Sequence, residues 1–264
     1  MPAKTIGLVA FVAFAGIALP VGAQGVAAKY AVAAPLGEYL MAKDAEVAMA
    51  RSAAPVGISG GAEVLVLGKD GYETAAAGGN GFVCLVERSF AAAVDFPEFW
   101  NPKIRGPICV NPEAAKTYLQ VVKMEARLAM AGRTREEIAA ALKTAWEKKE
   151  LTAPGVGAMS YMMSKEQYLG DEGHSWHPHL LWFEAGDAAK SWGANVEGSP
   201  VMAAPDLGDR MTILLVPVGR WSDGTMGMAA TMKFSLVAGN CWLLARATAR
   251  ARAKAKEEAD SRRE

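Results

Sequence analysis

All three histidines of this 264-residue chain stand in one stretch, Gly170 to Glu184, which reads GDEGHSWHPHLLWFE. His174, His177 and His179 are the residues best suited to hold a metal ion. Imidazole is the commonest nitrogen ligand, and a zinc-type ion needs three or four donors in compact geometry. His177 and His179 are two residues apart, so a regular strand would carry both on one face. His174 would join them from a loop, and Asp171 or Glu172 would add an oxygen. The competing reading places one imidazole in a core hydrogen bond and leaves the others at a loop edge. Pro178 distorts the strand start, and no distant ligand cluster completes a metal site. Beyond a zinc-type ion no cofactor is implied, and no residue is assigned as catalytic.

Thiol chemistry is the second option. A cysteine nucleophile needs an imidazole beside it and a third group to orient that ring. Cys84 well upstream of His177 or His179 is similar to the residue order of papain-like cell-wall hydrolases. Their cysteine begins a helix, whereas Cys84 sits inside the strand-like run Phe82 to Val86. Pairing with Cys109 is the alternative: a disulfide closing a loop of about 25 residues stabilises by roughly 3 kcal/mol. Left reduced, the two would behave as small buried hydrophobes. Cys241 is the odd thiol. Ser199 before Pro200 does not match a nucleophile elbow. Asp171, Glu172, Glu184 and Asp187 are close in the chain, which does not fix the separation that acid–base carboxylates need.

Composition bounds the setting of this chemistry. The chain is 52% hydrophobic with a formal net charge of zero, so it supports a sizeable core and offers no clustered basic surface for nucleic acid. Residues 1–23 have the three parts of a secretory signal peptide. Lys4 supplies the charge, Ile6 to Leu19 the apolar run, and Pro20 breaks it before Val21-Gly22-Ala23. Cleavage after Ala23 would leave Gln24 first, a periplasmic or secreted chain and no stable membrane anchor. Disulfides persist in such compartments.

The positioning elements follow from periodicity. Pro35 to Arg51 reads as a helix, and Ala62 to Leu67 as a strand turning at Asp70-Gly71 into Tyr72 to Ala76. Gly78-Gly79-Asn80-Gly81 is turn chemistry rather than a phosphate loop, and Phe82 to Val86 completes an expected antiparallel meander. Phe90 to Pro107 is irregular; its Phe96, Phe99 and Trp100 would pack over a sheet edge or line an apolar pocket near the histidines. Asn111-Pro112 starts a helix to Ala131, and the capping box Thr134 to Glu137 starts a second to Lys149. Val156 to Met163, His179 to Phe183 and Met211 to Val218 are strands. The sum is an α+β fold, a mainly antiparallel sheet of five or six strands with the helical hairpin on one face. One domain would span 24–225, followed at 226–264 by the apolar Phe234 to Ala245 and a charged helical tail.

Five strings carry a likeness to known sequences: Asn80 to Val86, Ser160 to Ser164, His177 to Phe183, Trp192 to Asn195 and Trp221 to Gly224. Over residues 56–225 the chain resembles a family of uncharacterised bacterial exported proteins. The resemblance implies export and a single domain, and no activity. The expected function is therefore a non-catalytic periplasmic or envelope role with a small molecule or envelope partner. The alternative is a zinc-type metal-dependent site or hydrolase centred on His174, His177 and His179.

Overall fold

The computed structural model describes residues 29–173, 175–206 and 210–227. The expected signal peptide (1–23), His174, Cys241 and the tail from 228 onward lie outside the described residues. The fold is α+β, but the sheet is larger than expected. Eight strands run in the order β2-β1-β3-β4-β5-β6-β8-β7. They are β1 (Glu63–Gly68), β2 (Gly71–Ala76), β3 (Val83–Glu87), β4 (Gly106–Val110), β5 (Met159–Met162), β6 (His179–Ala185), β7 (Met202–Asp206) and β8 (Met211–Pro217).

The first three strands do not form a meander. β1 and β2 make the expected hairpin, but β3 pairs with the other side of β1, in parallel. Lys69 to Phe82, with β2 inside it, is the crossover of about a dozen residues that parallel pairing requires. The glycine turn carries the chain past the start of β1. A Cβ on Gly78 would lie 2.0 Å from the Glu63 amide nitrogen, so only glycine fits there. Gly79 N–H donates to Gly61 O at 2.8 Å, and Glu63 N–H to Phe82 O at 2.9 Å, fixing the crossing.

β4 and β7 are the unexpected strands. Pro107 is tolerated in β4 because β5 pairs only with Cys109 and Val110, so its missing N–H forfeits no bond to β5. β7, with two alanines and a proline, has poor strand propensity and is held by its ladder with β8. The helix expected over 35–51 is a 3-10 turn (Leu36–Tyr39) followed by α1 (Lys43–Arg51). A one-turn α2 (Val56–Ser59) follows.

The helical hairpin forms with one break. Asn111 caps α3 (Pro112–Lys116) by accepting from the Ala114 amide. Thr117 then leaves helical geometry, its hydroxyl donating to Glu113 O at 2.9 Å in competition with the backbone ladder. α4 (Tyr118–Met130) follows, and α5 (Arg135–Glu147) opens on the full Thr134–Glu137 capping box.

The sheet divides the core in two. Leu65, Leu85, Ile108, Met162, Leu181 and Phe183 face the α4–α5 side in the main cluster. Phe96, Phe99 and Trp100 are buried in that cluster, so they fill the core instead of lining a pocket. On the opposite face, Val64, Cys84, Val86 and Cys109 pack under Ala50 of α1. Here Cys84 and Cys109 are register partners on β3 and β4, with Cα atoms 4.0 Å apart and their sulfurs bonded.

Candidate functional site

The histidine stretch enters the sheet as β6, and strand alternation sorts its side chains. His179, Leu181 and Phe183 are fully buried toward the main core, whereas Leu180, Trp182 and Glu184 turn to the other face. His177 precedes the strand, with Pro178 between it and β6, so it stands outside the ladder that holds His179. The His179 Nδ1 lies 2.7 Å from the His177 carbonyl oxygen, so with its proton on Nδ1 the ring is tied to its own loop. Trp176 packs edge-on against both rings, with centroids 5.5 Å from His177 and 5.0 Å from His179. Burial pushes the His179 imidazole down to about 4, so it is neutral at physiological pH. Its Nε2 has no hydrogen-bond partner among the described residues.

Asp171, expected as an oxygen donor, is engaged elsewhere. Its carboxylate receives the Lys29 ammonium, the Tyr168 hydroxyl at 2.6 Å and the Tyr30 hydroxyl at 2.7 Å. Lys29, then Tyr168 and Tyr30, favour its ionised form and hold its pKa well below the usual carboxylate range. The Asp171 amide donates to Glu98, and the buried Asn101 amide bridges Glu98 and Asp171. This cluster fastens the segment around Lys29 and Tyr30 to the loop before the histidines. Glu172 is solvent-exposed. Among the described residues no three His, Cys, Asp or Glu side chains gather as a metal site.

The thiol option closes on geometry. Cys84 lies inside β3 and is bonded to Cys109, so it offers no thiolate. Three other buried charges, Glu46, Glu87 and Arg88, gather at the end of β3. Arg88, fully buried, donates to Glu46 at 2.8 Å and to the carbonyls of Tyr39 and Val86. Glu46 also accepts from the Leu67 amide at 3.1 Å, and Tyr118 donates to Glu87 at 2.7 Å. These contacts bind α1, α4 and the turn before α1 to the sheet.

Back to back with His179 lies an apolar cleft of about 440 Å³, open to solvent. Tyr161 and Leu180 form its floor on β5 and β6; Pro55, Met163, Val218 and Met226 form its walls. Met163 N–H donates to Ala53 O at 2.9 Å and Ser222 N–H to Met163 O at 3.0 Å, so the α1–α2 link and the Trp221–Gly224 turn flank the same strand end. Arg220 stands at the rim, its guanidinium donating to Gly224 O at 2.8 Å. Among the described residues the lining is mostly carbon, which suits apolar groups, with the Tyr161 ring in the floor and Arg220 at the rim as its polar-bearing side chains. Sequence reasoning missed this cleft. Its signal was β6 itself, whose Leu180 and Trp182 are apolar on the face opposite Leu181 and Phe183; a strand apolar on both faces needs cover on both.

No family model, curated protein or solved structure matches the chain.

Proposed function

We propose that the chain is an exported protein of the cell envelope with a non-catalytic role. The observation that carries this reading is the buried Cys84–Cys109 bond joining two central strands. A disulfide so placed is kept in oxidising compartments and lost in reducing ones. The charge and hydropathy pattern of residues 1–23 supports the same route, with cleavage after Ala23. The non-catalytic part rests on how the reactive groups are spent. Cys84 is bonded, Asp171 fastens the chain's early segment, and His179 is buried beneath Trp176. Expression with the native amino terminus in a Gram-negative host, followed by fractionation, tests the route. The expected product begins at Gln24, lies outside the cytoplasm and shows one reactive thiol, Cys241, after denaturation. A cytoplasmic product with three reactive thiols overturns it.

The zinc-type reading at His174, His177 and His179 is favoured by one observation, the Nε2 of buried His179, which has no hydrogen-bond partner among the described residues. Metal analysis of the purified mature chain separates the two readings. Stoichiometric metal that disappears in His177→Ala and His179→Ala would replace the non-catalytic role with a metal-dependent one.

A further inference from the structure

We infer that the apolar segment Phe234 to Ala245 of the chain's own tail occupies the cleft floored by Tyr161 and Leu180. Three observations converge on that occupant. First, among the described residues nothing packs over the cleft, although the sheet on either side of it is covered. α1 packs over β1, β3 and β4, and Trp192 and Ala194 pack over Trp182 and Leu214, leaving Tyr161 and Leu180 between them. Met226 at its rim is 65% exposed, which costs free energy in water unless something covers it.

Second, the described chain ends at this rim. Met226 lines the cleft, and Gly227 is pinned beside it, its N–H donating to Gly219 O at 2.9 Å. A Cβ on Gly227 would lie 3.0 Å from the Pro178 ring, so the exit point is tightly seated. From there the link 228–233 reaches roughly 20 Å when extended, ample to fold back over a cleft that begins at residue 226.

Third, the tail carries a matching surface in need of burial. Residues 234–245 read FSLVAGNCWLLA, with Lys233 before them and Arg246 after. That uncharged stretch, with Ser235 and Asn240 among its apolar residues, is short of the roughly 20 apolar residues that span a bilayer. An apolar segment tethered beside an apolar cleft binds at high effective concentration, so a modest contact suffices.

The chain supplies its own probe. With Cys84 and Cys109 bonded, Cys241 in the tail segment is the remaining thiol of the three. A second cysteine is introduced on the cleft floor (Leu180→Cys) or, separately, on its wall (Pro55→Cys), in the full mature chain. A control places it at exposed Glu136 on α5, beyond the opposite face (Glu136→Cys). Mild oxidation followed by peptide mapping without reductant should show intramolecular 180–241 or 55–241 bonds about tenfold above 136–241. A chain ending at Gly227 should melt at lower temperature and bind more of an apolar dye. The inference is overturned by any of four results. These are floor and wall cysteines that couple no better than the control, and couplings only between molecules, which would mean a second copy fills the cleft. The others are a full-length chain that partitions into neutral lipid vesicles through its tail, and a truncation that changes neither melting nor dye binding. Retention in the cytoplasm would sink the export reading and leave this one standing.

Discussion

Replacing Cys84 and Cys109 together by alanine tests the bond on which the export reading rests. The two residues are 25 apart in sequence. Closing a loop of that size removes about 12 cal/mol/K from the unfolded chain, or about 3.5 kcal/mol at 25 °C. Both side chains are fully buried between Ala50, Val64 and Val86, so the vacated sulfur volume adds to the loss. For a chain of this size the double variant should melt about 7–14 °C below the oxidised protein. The assay is urea and thermal unfolding at neutral pH of three samples: oxidised wild type, wild type in reductant, and the Cys84→Ala/Cys109→Ala variant. Reduced wild type and the variant should agree within about 1 kcal/mol, since only packing separates them. An oxidised protein no more stable than the variant, or a melt that reductant does not move, would refute the reasoning.

Other outcomes follow from single contacts. Arg88→Met strips the buried Glu46 of its cation and should cost about 3–5 kcal/mol in urea unfolding, whereas Glu46→Leu/Arg88→Met should recover most of that loss. His179 is neutral in the folded chain down to about pH 4, while the unfolded chain protonates it near pH 6.5. Stability should therefore be greatest above that range and fall by up to about 3 kcal/mol as pH drops from 6.5 to 4, a slope that His179→Leu removes from the urea midpoints. Gly78→Ala should destabilise by about 3 kcal/mol because its Cβ meets the β1 backbone, while Gly79→Ala, with open space around it, should leave the melting temperature nearly unchanged.

Local chemistry was legible in the sequence wherever a side chain contacts its own neighbourhood. The Asn111 cap, the Thr134–Glu137 box and the Asp70-Gly71 turn all act within a few residues. The cysteine pair was legible because a chain with three cysteines offers few pairings to choose from. What depends on distant contacts was not. β3 leaves β2 for the far side of β1 because Gly78 lets two backbones pass, and turn composition alone does not encode which side is taken. β7 exists because β8 offers it a ladder, not because its own residues favour extension. The site was half legible. The histidine stretch does open a strand, but Pro178 puts His177 outside it and Trp176 against both rings. Asp171 was read by its nearness to the histidines, whereas its partners Lys29 and Tyr30 lie far back along the chain.

The position of the paired sulfurs along the polypeptide sets an order of events. On the proposed export route, with the amino end threaded first, Cys84 and Cys109 would emerge ahead of β5, β6, β7 and β8. Cys241 emerges last of the three. β3 and β4 are joined by the short run from Arg88 to Arg105, so they can align and oxidise before a third sulfur competes. An arrangement with a partner for Cys241 would have to wait for the whole chain. On that route the order of emergence itself favours the Cys84–Cys109 pairing.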